Sequence, residues 1–407
     1  MVGKGRGWWA VAIAATGLAL GCERGTLDKA PPDGRLAADG GIVLGSGAPG
    51  GPGAGSGAPG SGTGGDGMPV IPACVVSSRV PDDWSEVAAP GELAGFRVTD
   101  GWAAPGRNNL FFAAVSSATG SPPVASVRIA RWTGGCWTAE LSWSTSSTSP
   151  PSLAGAAGDD VWATVGDAVL HRDATSWTRV DGPLRTLLAA QHPGVAPTFD
   201  AVRVGDTGVW VTGGHFVWRR DQQGWRMFEL SDQQITGAAY PTPGTIRFTA
   251  LQPDLDGAVL GGSIDFVGGA IIEAAFVCRY DGSNWTPTVV GRGRVTGLEN
   301  DGAGGLWIGA ASDGGNPSLW HLDGTGGLAG VAIGGWPSSA ETQALWARAG
   351  DDVWAASGAY LAHWDGSAWT SASAPPGTDS ARVTVLTGDG GSLWFVGAGP
   401  RFFRIAR

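Results

Sequence analysis

Short apolar runs, each set off by a turn rich in Gly, Asp or Asn, repeat from about residue 95 to the C-terminus. The phrase is clearest over 350–370, GDDVWAASGAYLAHWDGSAWT. There a polar turn leads into Val353-Trp354, a second run covers Tyr360 to Trp364, and Trp369 follows the Asp365-Gly366 turn. The apolar pair recurs at Leu110-Phe111, Val161-Trp162, Val209-Trp210, Val259-Leu260, Leu306-Trp307, Val353-Trp354 and Leu393-Trp394. Its second members are 51, 48, 50, 47, 47 and 40 residues apart. Seven copies at one period indicate a repeat architecture.

Each copy reads as four strands, a to d. An apolar a run precedes the signature at Leu153, Val202, Leu251, Leu298, Leu345 and Leu386, with Phe96 ahead of the first copy. The signature is strand b, the Tyr360–Trp364 type of run is strand c, and a Trp opens strand d at Trp137, Trp177, Trp225, Trp285 and Trp369. The fifth copy has Gly327-Leu328 in that place. A four-stranded unit this small cannot cover both of its faces, and radial stacking lets each sheet cover the next. The pattern therefore predicts an all-β fold, a seven-bladed β-propeller of four-stranded antiparallel blades. Each buried Trp contributes roughly 4–6 kcal/mol to blade adhesion by area. The seventh copy ends after its c run, Phe402 to Ile405, while Trp84-Ser85-Glu86-Val87 reads as a d strand without a blade. An N-terminal strand completing the last blade closes the ring and removes its open edges.

The first residues carry a different signal. Lys4 and Arg6 precede an apolar stretch from Trp8 to Leu20 that is too short for a membrane-spanning helix of about 20 residues. It ends in Leu18-Ala19-Leu20-Gly21-Cys22, which resembles the bacterial lipobox. The resemblance implies a signal peptide over 1–21, a lipid on Cys22 and, with Glu23 rather than Asp next, placement at the outer membrane. Residues 22–73 are mostly Gly, Ala, Pro and Ser, a composition expected to stay disordered as a tether reaching roughly 40 Å. The propeller is expected over 74–407. Loss of Lys4 and Arg6 with the signal moves the formal charge from −10 to −12, which disfavours nucleic acid. The only lysines are Lys4 and Lys29, so the repeats hold no Schiff-base lysine and no phosphate-gripping lysine.

Three propeller families share pieces of the repeat. GLWIG at 305–309 with LWHLDG at 319–324 resembles the propeller repeats of two-component sensor ectodomains. The DVW and HWDGSAW segments resemble the tectonin-type lectin repeat, and the Asp-Gly-x-x-Trp turn is similar to the Asp-box of sialidase-like propellers. The likeness spans about 82–407 and implies the fold; the unit is longer than a tectonin repeat, and the leading Ser/Thr of an Asp-box is missing.

Candidate chemistry dissolves into the repeat. His171, His321 and His363 lie two residues before the repeat Asp, where the other copies carry Arg131, Arg219, Arg279 and Arg404. A basic residue in every copy predicts a structural pairing with a turn carboxylate, or packing across blades. His192 and His215 have no ligand-spaced partners, and Asp254-Leu255-Asp256-Gly257 lacks the later positions of a calcium loop. Sialidase chemistry needs an arginine cluster and a nucleophilic Tyr, yet Tyr280 and Tyr360 sit in repeat positions. No triad or carboxylate pair stands out. The expectation is a protein that is not an enzyme, with no metal and no cofactor. Cys74 and Cys136 form a candidate disulfide across the closing seam, and Cys278 reads as buried and inert.

By strand parity the a–b and c–d turns share one face, and the b–c and d–a connections share the other. Insertions gather on the second face, in the b–c connections of blades one, four and five and in the d–a connections at Arg185 to Thr198 and Leu230 to Thr245. Such a face is a candidate binding surface, with Asp265, Phe266 and Glu273 from blade four and Asp313 and Asn316 from blade five. The expected function is a noncatalytic cell-envelope lipoprotein, a monomer held by its lipid alone, whose propeller binds a protein partner or serves as a scaffold. The alternative is a lectin-like module for an envelope glycan, which requires exposed aromatics outside the repeat slots. The candidates are Trp102, Trp143, Trp218, Trp320, Trp336 and Trp346.

Overall fold

The computed structural model describes residues 76–79 and 84–406, apart from 106–108, 122, 134, 148, 231–245, 255–256, 268–270, 312–317, 338–339, 359, 376–382, 390 and 398. The N-terminal strands are β1 (Val76–Arg79) and β2 (Trp84–Val87). Blade one follows as β3 (Arg97–Ala103), β4 (Asn109–Val115), β5 (Ala125–Thr133) and β6 (Cys136–Thr145). Blade two is β7 (Ser152–Ala157), β8 (Asp160–Thr164), β9 (Val169–Asp173) and β10 (Ser176–Arg179). After helix α1 (Gly182–Gln191), blade three is β11 (Ala201–Gly205), β12 (Gly208–Gly213), β13 (Phe216–Asp221) and β14 (Gly224–Glu229). Blade four is β15 (Ile246–Pro253), β16 (Ala258–Val267), β17 (Ile271–Tyr280) and β18 (Trp285–Arg292). Blade five is β19 (Arg294–Asn300), β20 (Leu306–Ala311), β21 (Leu319–Leu322) and β22 (Leu328–Val331). Blade six is β23 (Ala344–Ala349), β24 (Asp352–Ser357), β25 (Tyr360–Trp364) and β26 (Trp369–Ser373). The last three strands are β27 (Val383–Asp389), β28 (Ser392–Gly397) and β29 (Arg401–Ala406).

Each blade is an antiparallel meander, and the seventh sheet runs β27-β28-β29-β2-β1. The N-terminal strand thus closes the ring, with Trp84 opposite Ile405 and Val87 opposite Phe402. Trp84 is 2% exposed, packs edge-on against Phe395 and donates its indole N–H to the Ser373 carbonyl of blade six. Glu86 pairs with Arg401 at 3.0 Å across the same seam. A fifth strand, β1, lies outside β2 and extends what the repeat predicts. The a strands touch in ring order from β3 through β7, β11, β15, β19 and β23 to β27, which returns to β3.

Aromatic rings join the blades. Trp307 of blade five meets Trp369 of blade six at 5.2 Å, and Trp394 of blade seven meets Trp132 of blade one at 5.4 Å. Trp162 and Trp225 join blades two and three, and Phe228 and Trp285 join blades three and four. Near the axis, threonine hydroxyls tie a strands to the next blade: Thr99 donates to the Pro151 carbonyl at 3.2 Å and Thr296 to the Thr342 carbonyl at 2.6 Å. Glu140 of β6 links blades one and two through a buried pair with Arg172 at 2.9 Å.

Three elements depart from the sequence reading. The connection from Arg185 to Thr198 begins within helix α1, where Leu184 and Leu188, one turn apart, are buried and the helix packs on β14. Pro183 sits in its first turn, and the buried Asp181 just before it is paired by Arg179 and Arg185. Burial opposes ionisation of Asp181, but those two guanidiniums outweigh it and hold the carboxyl below its usual range. In blade four the b-strand residue opposite Arg279 is Val259, one position before the Leu260 that the spacing suggests. Finally, the long b–c connection of blade four is largely a hairpin of two ten-residue strands, β16 and β17.

Candidate functional site

The repeated basic position is structural in all seven blades. His171, His321 and His363 each donate to a turn carboxylate at 2.8 Å, on Asp160, Asp301 and Asp352. Arg279 donates to Asp254 at 2.7 Å, Arg131 to the Asn109 side chain at 2.6 Å, Arg404 to the Ser392 hydroxyl at 2.7 Å and Arg219 to the Thr207 carbonyl at 3.2 Å. Six of these residues also lie over the aromatic ring opposite them on strand b. The imidazoles stack on Trp162, Trp307 and Trp354 at 4.3–4.4 Å, and the guanidiniums sit over Phe111, Trp210 and Trp394 at 5.2–5.9 Å. Burial works against ionisation of Asp301, but the His321 bond and the N–H groups of Ala303 and Gly305 prevail and hold its carboxyl below the usual range.

The same b-strand residues have a second cross-strand neighbour, on strand a. In blade order these inner residues are Trp102, Ala154, Arg203, Gln252, Glu299, Trp346 and Thr387. Each b-strand signature residue is therefore flanked by a constant basic residue on its outer side and by a variable residue on its inner side. The inner residues, Ala154 excepted, line a cavity of about 480 Å³ at the a–b turn end of the axis. It shares Asp100, Arg203 and Glu299 with a mid-channel cavity of about 170 Å³, walled by all seven a strands. A third cavity, about 370 Å³, opens at the other end beside Arg97, Arg294 and Glu341.

Charge in this channel is unevenly satisfied. Arg203 donates through Nη1 to the Ser152 hydroxyl at 2.9 Å and to the Leu153 and Val202 carbonyls, and it lies 3.4 Å from Asp100. Asp100 also accepts from the Ser152 hydroxyl and from the N–H groups of Gly101 and Leu153. Glu299 keeps partial exposure to channel water, yet the wall surrounds it on every side. That desolvation pushes its carboxyl up to about 8; Arg203 and the Ala347 N–H oppose the rise, and Asp100 adds to it. Asp389, 6% exposed, accepts one bond from the Gly391 N–H, while its second oxygen is buried without a hydrogen-bond partner among the described residues. Two glycines make room for the ring tryptophans. A Cβ at Gly155 would stand 2.7 Å from the Trp102 ring, and one at Gly388 would stand 2.8 Å from the Trp346 ring.

The loop-bearing face assembles less of the expected site. Asp265 and Phe266 lie in β16, with Asp265 opposite Glu273 of β17, and Glu273 is partly exposed. Asp313 and Asn316 fall outside the described residues, as do Cys22, Cys74 and most of the connection from Leu230 to Thr245. Cys136 is exposed at the β5–β6 turn, and Cys278 is buried in the blade-four core. The hairpin outgrows its neighbours. β15 pairs with β16 only as far as Ile264, and β18 pairs with β17 only from Ala274. Among the described residues, 265–267 and 271–272 pair only with each other, while the Glu273 carbonyl accepts the Gly293 N–H at 2.8 Å.

Other sequence candidates are absorbed into the blades. Asp254 is taken by Arg279. Tyr280 is buried and donates to the Gly282 carbonyl, and burial raises its phenol above the usual value, the reverse of what a nucleophile needs. His192 caps α1 and packs on Phe216. Among the described residues no three His, Cys, Asp or Glu side chains gather as metal ligands. None of the described tryptophans is fully exposed, and Trp218 is wholly buried.

The fold and the axial channel define a seven-bladed β-propeller. No family model matches the chain, and no curated protein matches it. Solved structures do. A structure of YCF48 bound to D1 peptide is similar at 16% identity and a TM-score of 0.50, covering 82% of this chain and 97% of that one. A catalytically inactive virginiamycin B lyase from Staphylococcus aureus with quinupristin is similar at 14% identity and a TM-score of 0.51, covering 80% and 99%. At these identities the likeness concerns the fold.

Proposed function

We propose that this chain is a noncatalytic propeller of the cell envelope, anchored through a lipid on Cys22, that binds an extended protein segment. The observation that carries the reading is the blade-four rib. Among the described residues, 265–267 and 271–272 have no flanking strand, so the rib beyond Ile264 and Glu273 offers strand edges to an added segment. Strand addition supplies affinity through the backbone, along the rib where Phe266 and Ile272 stand at opposed register positions. The YCF48 propeller, similar in fold, holds a peptide. The lectin alternative is the weaker of the two, because its out-of-slot tryptophans are buried or only partly exposed.

A photo-crosslinking residue at Phe266, compared with one at Tyr360 beside the short b–c turn of blade six, tests the binding face in intact cells. Protein adducts at 266 and none at 360 are expected. Adducts at neither site, together with specific glycan-array binding by the propeller, would favour the lectin reading. Lipid attachment is tested separately by palmitate labelling, which is expected to disappear in Cys22→Ala.

A further inference from the structure

The a–b turn mouth of the channel lies opposite the rib and has no part in the reading above. Its cavity of about 480 Å³ carries five charged residues, Asp100, Arg203, Glu299, Arg348 and Asp389. Both cations are already matched: Arg203 by Asp100, and Arg348 by Asp352 at 2.7 Å. Asp100 is saturated by Ser152 and two backbone N–H groups. What remains is acceptor capacity. One oxygen of Asp389 is buried without a donor among the described residues, and the Glu299 charge is offset chiefly by the Arg203 guanidinium and the Ala347 N–H, which do not overcome its desolvation.

These two carboxyls alternate with two tryptophans. Glu299 belongs to blade five, Trp346 to blade six, Asp389 to blade seven and Trp102 to blade one, so the four follow one another around the mouth. Trp346 reaches over Gly388, the residue before Asp389. Carboxylates interleaved with tryptophans in one cavity suit an organic cation, for which carboxylates supply ion pairs and indoles are the best cation–π partners. The propeller itself contains no lysine to fill the position.

We infer that the channel mouth formed by Trp102, Glu299, Trp346 and Asp389 is a binding site for an alkylammonium group, such as a lysine side chain, presented by another molecule. An anion is disfavoured because the guanidiniums are already paired whereas the acceptors are not. The site also links binding to protons. Glu299 must ionise to pair with the ammonium, and Asp100 and Asp389 oppose that step while Arg203, Arg348 and the Ala347 N–H favour it. Affinity should therefore rise with pH until Glu299 ionises unaided near 8, by up to about tenfold per pH unit. An alkylammonium keeps its own charge over this range.

Calorimetric titration of the full-length chain at pH 6, 7 and 8 tests this, with Nα-acetyl-lysinamide as probe. Nα-acetylnorleucinamide is the uncharged control and Nα-acetylglutamate the anionic one. The expected result is saturable binding of the lysine probe alone, tightening toward pH 8. Glu299→Gln should weaken binding at pH 8 by about tenfold or more and flatten the pH dependence, and Asp389→Asn should weaken it at every pH, neither with a lowered melting temperature. The inference is overturned if the lysine and norleucine probes behave alike at pH 8, if the glutamate probe binds instead, or if natively folded Glu299→Gln binds as tightly as the parent.

Discussion

Blade five contains, on either side of Trp307, two residues with opposite histories across the ring. His321 on the outer side has a counterpart in every blade, always basic and always bonded to the a–b turn. Glu299 on the inner side faces the same indole, yet its six counterparts are Trp, Ala, Arg, Gln, Trp and Thr. A position that must close a turn and cap an aromatic ring accepts little besides His or Arg. A position that lines the axial cavity is free to differ from blade to blade. In this repeat, sameness marks structure, and departure marks where a ligand can be told apart from solvent.

The comparison can be broken first at the closure. Truncation after Val87 removes β1 and β2, exposes the edge of β29 and deletes Trp84. Trp84→Ala alone should cost about 3–5 kcal/mol, and the truncation more, read as a fall in Tm and a broadened transition in thermal unfolding. If the truncated chain melts where the parent does, the N-terminal strand is not what closes the ring.

Next in size is the Glu140 link between blades one and two. Glu140→Ala strands the buried Arg172, so a loss of about 3 kcal/mol is expected in chemical denaturation. The constant slot is probed more gently by His363→Arg and His363→Ala. Arg already occupies that slot in four blades, so the first should stay within about 1 kcal/mol of the parent, whereas the second should lose about 1–2 kcal/mol with its hydrogen bond and ring stack.

The remaining effects are in pH. Asp301 is held below its usual value in the folded state, so the stability it contributes is present above the unfolded value near 3.8 and is lost as pH falls through the lower folded one. Glu299 has the opposite sign. Its folded value near 8 exceeds the unfolded 4.5, so the native state holds the proton longer and stability declines as pH rises between the two. Glu299→Gln should remove that decline without changing the acid limb due to Asp301.

Much of this was legible in the sequence. The repeat period, the four strands, the closing strand at Trp84 and a structural role for His171, His321 and His363 all follow from spacing, and of the two roles left open the structure shows the pairing with turn carboxylates. The inner ring does not, for a geometric reason. Six of the seven a strands carry a bulge, before the ring position in β3, β15, β19 and β27 and after it in β7 and β23. Each bulge shifts parity by one residue, so counting along the chain does not reveal that Glu299 and Trp346 are equivalent. Trp102 and Trp346 stood out as tryptophans outside the repeat slots, whereas Glu299, next to the repeat Leu298, did not stand out, and only the register places them in one ring. Helix α1 was hidden because two leucines one turn apart, Leu184 and Leu188, are too short a signal within a connection. The rib of blade four looked like a loop because its tip contains Gly268 and Gly269, while its length is strand.

The most direct measurement is the unfolding free energy at pH 8 of two single variants flanking the same indole, His321→Gln and Glu299→Gln. The account predicts a loss of about 1–2 kcal/mol for His321→Gln and none, or a gain, for Glu299→Gln. Equal losses on both sides of Trp307 would contradict it, because the inner ring would then be as much a part of the framework as the outer slot.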